Sequence, residues 1–208
     1  MNLPLITCIM PTANRPGYVS IAISSFLEQD YQNAEMVIID DGTEVANTRI
    51  PDHPKIRYFC AEPLGSIGMK RNAACEMAKG EIILHWDDDD IYASDWITRQ
   101  VNALISSGAD ITGLNKIMLQ SFTSDLSFTY EDKKEELPWL CGATFAYQKS
   151  LWDHYHFADL QIGEDIDFLV NSGGKIVAMD YFEGFIAGLH ATNTGIRYME
   201  NINPIKMD

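Results

Sequence analysis

Four consecutive aspartates, Asp87 to Asp90, stand directly behind an apolar run in "EIILHWDDDDIY". Crowded carboxylates raise one another's pKa unless a cation neutralises them, and hard oxygen ligands suit Mg2+ or Mn2+. Such an ion, held by one or two protein carboxylates, fills its shell with water and substrate phosphates, so the cluster implies a nucleotide. The competing role is structural, since aspartates also cap turns and helix starts, and Asp90 suits that role best. A second pair, Asp40 and Asp41 in "VIIDDGT", either meets a ligand or builds an Asp-Gly turn. A third acidic pair, Glu164 and Asp165 in "IGEDIDF", stands where a helix begins, where acids complement the helix dipole. Neither G-x-x-x-x-G-K-[ST] nor a helix-opening G-x-G-x-x-G occurs, and "GSIGMKRN" has glycines at another spacing, so neither of those phosphate cradles is available.

The elements that must position these groups alternate. "LPLITCIMPTANRPG" reads as a buried strand breaking into a Pro, Asn and Gly loop, and Tyr18 to Gln29 carries apolar residues at helical spacing. Met36 to Ile39 makes a second strand, "KIRYFCAE" a third and "EIILHW" a fourth. Met69 to Lys79 is the intervening helix, with Gly80 expected to stop it. Strands this continuously apolar, alternating with helices, predict an α/β fold: a mostly parallel sheet covered on both faces, with ligands beyond the carboxyl ends of its strands. A helix from Trp96 to Ser107 then leads to a smaller part, with "DITGLNKIMLQSF", "LSFTYED" and "GATFAYQ" as strands, antiparallel ones among them. "EDKKEEL" reads as a solvated surface loop.

The chain's 208 residues and 46% hydrophobic content fit one domain with a sizeable core. A formal net charge of −15 opposes general attraction to nucleic acid or to an anionic membrane. A bound cation could still hold an anionic ligand. The cysteines at 8, 60, 75 and 141 lie far apart without a C-x-x-C pair and predict buried thiols in a reducing, cytoplasmic compartment. No signal peptide or membrane-spanning run is evident in this sequence.

Five ordered stretches, "MPTANRP", "VIIDDGT", "GMKRNAACEMAKGEIILHWDDDD", "IGEDIDF" and "GLHATNTG", resemble the family 2 glycosyltransferases with the GT-A fold. The resemblance implies a metal-dependent enzyme, using Mn2+ or Mg2+, that moves a sugar from a nucleotide-sugar donor, a UDP-sugar by preference, to a hydroxyl of a glycan or glycoconjugate acceptor. On that basis Pro11, Thr12, Arg15, Asp40, Asp41, Arg71, Asp87 and Asp88 would hold the donor. Arg71 is preferred over Lys70 as the cation facing it. The aspartate run fits the family's D-x-D pattern in two frames, Asp87 with Asp89 or Asp88 with Asp90. Asp89 is taken as the metal ligand, with His190 in "GLHATNTG" as a late second one. Asp165 would be the general base of an inverting displacement, and Glu164, Trp139 and Gly142 would serve the acceptor. Residues 1–95 would form the nucleotide-sugar half and 96–208 the acceptor half of one domain, which could belong to a larger protein.

Three alternatives share these residues: a retaining transferase on the same fold, a sugar nucleotidyltransferase, and a non-catalytic module that binds sugar nucleotides. The second normally carries a Gly-rich basic loop after its first strand, which "PTANRPG" matches poorly.

Overall fold

The computed structural model describes residues 3–124, 126–131, 139–190 and 193. The charged stretch after Glu131, through residue 138, and all of the "GLHATNTG" segment beyond His190 except Asn193 lie outside these residues.

Strands β1 (Ile6–Thr12), β2 (Ala34–Asp40) and β4 (Ile82–His85) are buried at every position, as continuous apolar runs require when both faces are covered. β3 (Ile56–Cys60) pairs outside β2. All four run parallel, and β1 lies between β2 and β4. The chain therefore winds outward in two directions from β1, and the crevice beyond the carboxyl ends of β1 and β4 is the switch point at which such sheets bind ligands.

The second half completes this sheet with β6 (Ile111–Gly113), β9 (Ala146–Gln148) and β10 (Ile176–Ala178), in the order β10-β6-β9-β4-β1-β2-β3. β9 runs antiparallel to both β4 and β6. A second sheet, ordered β5-β11-β7-β8, joins β5 (Ile91–Tyr92), β7 (Lys116–Ser121), β8 (Ser127–Glu131) and β11 (Phe185–Leu189). Two expectations change here. "DITGLNKIMLQSF" is divided between the sheets at Leu114, whose amide is tied to Thr144 Oγ1 at 2.9 Å. In "GATFAYQ", Gly142–Thr144 is a 3-10 turn ahead of the strand.

Alternating side chains of the main sheet serve two cores. Ile6, Cys8, Met10, Ile38 and Leu84 face α1 (Pro16–Leu27) and α3 (Trp96–Ser107). Ile9, Val37, Ile39 and Ile83 face α2 (Ile67–Met77), α4 (Lys149–His154) and α5 (Glu164–Asn171). α1 begins two residues earlier than its periodicity suggests because Pro16 suits a first helical turn. Of the cysteines, Cys8 and Cys75 are buried and Cys141 is half-buried, but Cys60 is exposed because β3 is an edge strand. Among the described residues no helix is long and apolar enough to cross a membrane.

Gly80 is not the helix stop. α2 ends at Met77 with Ala78 already extended, and Gly80 is absent from the left-handed region. It is required instead by close approach to β1: a Cβ there would lie 2.5 Å from the Thr7 nitrogen and 2.8 Å from the Leu5 oxygen, and its own amide donates to Thr7 Oγ1 at 2.9 Å. Gly80→Ala must push backbone apart and should cost about 1–3 kcal/mol in urea unfolding; wild-type stability would contradict this account.

Candidate active site

The end of β4 turns the aspartate run across the switch crevice, and each member meets different partners. Asp88 is buried against β1, taking a hydrogen bond from Thr12 Oγ1 at 2.5 Å and an ion pair from Arg15 Nη1 at 3.0 Å. Burial and the Asp89 charge push its carboxyl up to about 6, against the lowering pull of Arg15 and Thr12. Asp89 Oδ2 is a meeting point: Arg15 Nη1 lies at 2.8 Å, His190 Nε2 at 2.8 Å and Asn193 Nδ2 at 3.1 Å. Tyr18 on α1 stacks on the His190 ring, with centroids 5.0 Å apart. Asp90 turns inward and accepts from the Gly188 amide at 3.0 Å, which fixes β11 to the loop. Asp87 keeps a buried oxygen, Oδ1, without a hydrogen bond, and its nearest cation is Arg71 Nη2 at 3.5 Å. Burial raises its carboxyl, and Arg71 counters that.

Arg71 lies inside the protein, 3% exposed, because it shares the sheet-facing side of α2 with Ala74 and Cys75. Its Nε donates to Glu164 Oε1 at 3.3 Å, and its Nη1 lies 2.7 Å from His85 Nδ1. The same Nδ1 is 2.6 Å from the Gly142 carbonyl oxygen. Burial opposes the Arg71 charge, but Asp87, Glu164 and Asp165 reverse that and raise its pKa. Glu164 is pushed up to about 7, first by burial and then by Asp165, with Arg71 acting the other way. Asp165 is half-exposed and crosses directly over Gly142, where any Cβ would lie 2.3 Å from its Oδ2. Gly163, at φ 86°, supplies the turn that directs Glu164 inward. α4 and the segment ahead of α5 are held to α2 by Asn72, whose Oδ1 accepts from the Phe157 amide and from Trp152 Nε1, each at 2.9 Å, and whose Nδ2 donates to the Phe157 carbonyl at 2.8 Å.

A cavity of about 310 Å³ opens beside this cluster, lined by Pro11, Thr12, Ala13, Asn14, Arg15, Ile67, Lys70 and Gln161. Lys70 also pairs with Asp41 at 2.9 Å, and Asp41 Oδ2 accepts from the Leu64 amide at 3.1 Å. Asp40, in contrast, spends its carboxylate on the loop behind it, accepting from the Gly42 and Ala46 amides at 3.1 and 2.9 Å and from the Tyr58 hydroxyl at 2.7 Å. Trp139 packs edge-to-face on Tyr130 of the second sheet, with centroids 4.8 Å apart.

A family model described as "Glycosyl transferase family 2" matches residues 7–150. The chain belongs to glycosyl transferase family 2. An "Uncharacterized glycosyltransferase" of Haemophilus influenzae is 35% identical over 112 residues, 51% of this chain and 45% of that protein. The "Putative colanic acid biosynthesis glycosyl transferase WcaA" of Escherichia coli K12 is 35% identical over 111 residues, 50% of this chain and 38% of WcaA. The chain thus spans less than half the length of these relatives. Its fold is that of the S. aureus TarS 1–349 structure in complex with UDP-GlcNAc, at TM-score 0.71 and 18% identity over 91% of this chain and 60% of that one. The mannosyltransferase PcManGT from Pyrobaculum calidifontis, in complex with GDP-Man and Mn2+, superposes at TM-score 0.71 and 17% identity over 96% and 61%.

Within this GT-A fold, Thr12, Arg15, Asp88, Asp89 and His190 form one group, and Arg71, Asp87, Gly142, Glu164 and Asp165 form a second that touches it through the aspartate run. Pro11 lines the cavity, whereas Asp40 and Trp139 make their contacts elsewhere. Three participants escaped the sequence reading. Lys70, ranked below Arg71, lines the cavity; the helical step between the two allows only one to face the sheet, and Ala74 and Cys75 mark that face. Asn72 had no spacing to announce it. His85 was readable, as a polar residue at a core-facing position two after Ile83.

The residues present would fit a divalent cation. Asp89 Oδ2 and His190 Nε2, 2.8 Å apart, offer a hard and a borderline ligand to one point. Among the described residues no group of three or more His, Cys, Asp or Glu side chains is arranged to hold an ion, so substrate oxygens or water would supply the remaining ligands.

Glu164 makes stability depend on pH. Its folded value of about 7 lies above its ordinary 4.5, so the folded protein holds the extra proton between them. Raising the pH through that interval therefore costs stability. The stability of wild type relative to Glu164→Gln should fall by on the order of 2 kcal/mol between those limits, and a flat or rising difference would contradict the buried placement. Asp40→Ala strands two amides and a hydroxyl and should cost on the order of 3 kcal/mol in the same denaturation assay, against no loss if the carboxylate faced only ligand.

Proposed function

We propose that the protein is a metal-dependent glycosyltransferase that moves a sugar from a nucleotide-sugar donor, most plainly a UDP-sugar, to a hydroxyl on a glycan or glycoconjugate, with inversion. The observation that carries this reading is the abutment, at the switch crevice, of an Asp-His pair able to hold a cation and a short helix presenting a half-exposed carboxylate. The bound UDP-GlcNAc of TarS and the GDP-Man and Mn2+ of PcManGT support a nucleotide sugar and a divalent ion as the class of ligand.

The base and nucleoside would lie along the cavity between the β1 loop and α2, against Pro11 and Thr12. Asp41, an acceptor-only carboxylate, would receive an N–H of the base, and Lys70 beside it would hold that carboxylate in place. Arg15 would turn its guanidinium to the diphosphate, for which a planar fork is suited. Asp88 and Asp87 would meet ribose or donor-sugar hydroxyls. Bound between Asp89 and His190, a divalent cation would offset the charge that builds on the departing diphosphate.

Asp165 would accept the proton of the acceptor hydroxyl as that oxygen bonds to the anomeric carbon. The carbon–oxygen bond to the nucleoside diphosphate breaks on the opposite face, with its electron pair leaving on the diphosphate. Glu164, held by Arg71, would position this helix start and the acceptor rather than take the proton itself. Gly142 makes room for the base. Residues 1–95 would thereby serve the donor and most of the remainder the acceptor, with Gln161 and His190 reaching back to the donor side. Four unpaired cysteines support a reducing compartment, the cytoplasm.

Asp165→Asn should lower kcat about 10²- to 10⁴-fold on a UDP-sugar chosen from a panel of UDP-, GDP- and dTDP-sugars, while UDP still stabilises the protein thermally. Asp89→Asn should remove the Mn2+-dependent part of that stabilisation. Unchanged turnover in the first variant would overturn the assignment of the base, and release of pyrophosphate from nucleoside triphosphate and sugar phosphate would replace the reaction itself.

A further inference from the structure

His85 is the last residue of β4, fully buried, and it is the one imidazole in the described interior that touches the proposed reaction apparatus without a role in it. Its ring is walled by Phe145, Tyr147 and Phe157, with centroids 5.4 to 5.5 Å away, and Nε2 is buried without a hydrogen-bond partner. Nδ1 lies between two groups of fixed character: Arg71 Nη1 at 2.7 Å, which can only donate, and the Gly142 carbonyl at 2.6 Å, which can only accept. Burial and the Arg71 charge hold the ring neutral. A neutral ring has one proton. On Nδ1 that proton would be donated to the Gly142 oxygen but would confront the Arg71 N–H; on Nε2 it leaves Nδ1 to accept from Arg71 while facing the Gly142 oxygen, and places an N–H, rather than a lone pair, among aromatic rings. The Arg71 contact decides between them, because a guanidinium keeps its charge and its donors whereas the carbonyl has a second lone pair to turn elsewhere.

We propose that His85 is a positioning residue for glycosyl transfer: as the Nε2–H tautomer it accepts from Arg71, and so fixes the guanidinium that holds Glu164 at the start of the helix bearing Asp165. The chain of contacts is short. His85 sets Arg71, Arg71 Nε sets Glu164 at 3.3 Å, and Asp165 is the next residue, seated on the Gly142 turn that the same imidazole touches. None of these residues lines the cavity assigned to the nucleoside. Loss of the Nδ1 acceptor should therefore act mainly on alignment of the base and lower kcat, with a smaller effect on donor KM through the longer Arg71–Asp87 contact; a displacement of about 1 Å at a reacting group is enough for large rate losses. The inference rests on the glycosyltransferase reading and on Asp165 as its base.

Two replacements of similar polarity separate this role from a merely structural one. In His85→Asn the amide reaches the place of Nδ1, and in His85→Gln it reaches the place of Nε2. With the UDP-sugar that wild type turns over, His85→Asn should keep kcat within about threefold while His85→Gln loses at least about tenfold, with donor KM within about twofold in both. A cavity-filling role would favour Gln, the closer match in volume, so a Gln variant as active as the Asn variant would overturn the proposal, as would equal losses in the two. In 15N spectra of histidine-labelled wild type, the proton of His85 should sit on Nε2; a proton on Nδ1 would overturn it as well. If wild type turned over no nucleotide sugar, the underlying reading would fall and this inference with it, whereas active wild type with the wrong order of variants would remove this inference alone.

Discussion

A guanidinium cannot lose its charge, so one buried inside a domain must be matched by acceptors from whatever surrounds it. Arg71 is matched by three elements: Asp87 after β4, His85 at the end of β4 and Glu164 at the start of α5. These are the pieces that the proposed transfer has to hold in register, since in it the aspartate run would serve the donor and α5 the acceptor. The rest of the site follows from this one cation. Asp87 and Glu164 are tolerable in the interior because Arg71 is there, and Asp165 can stand half-exposed beside them because Gly142 leaves it space. Asn72, the next residue on α2, closes the arrangement by fastening the segment ahead of α5.

The clustering of four like charges at Asp87 to Asp90 is resolved by division of labour. Asp90 is a structural acceptor for the second sheet, Asp88 belongs to β1 through Thr12, Asp87 answers Arg71, and Asp89 alone gathers Arg15, His190 and Asn193 at one oxygen. Successive residues at a strand end point in different directions, so adjacency in sequence becomes dispersal in space. Burial first, and the remaining repulsion from Asp89 second, hold the Asp88 carboxyl above its ordinary range.

Much of this could be read from the residues alone. The continuously apolar strands gave the parallel sheet and its ligand-binding rim because burial on both faces leaves little choice of composition. The strands of the second half were partly visible, but not their assignment to two sheets, which depends on the Thr144 and Cys141 contacts that break the chain at Leu114. In the site, Thr12, Arg15, Asp88, Asp89 and His190 were named and meet. Asp40 was named with Asp41, yet only tertiary contacts with Ala46 and Tyr58 distinguish them. Arg71 was preferred over Lys70 on the family resemblance, whereas the buried face of α2 decides their duties. Gly80 looked like a helix stop because a glycine close behind a helix usually is one; its need arises from β1, far away in sequence.

The central claim is that a donor held at the aspartate run and a base on α5 act from opposite faces of one anomeric carbon. Its most direct test is the anomeric configuration of the glycoside formed from an α-linked UDP-sugar, read by 1H NMR from the coupling of its anomeric proton. The account predicts a β-linked product from the outset. An α-linked first product would contradict it, because attack on the same face as the leaving group cannot be served by Asp165 as a single base.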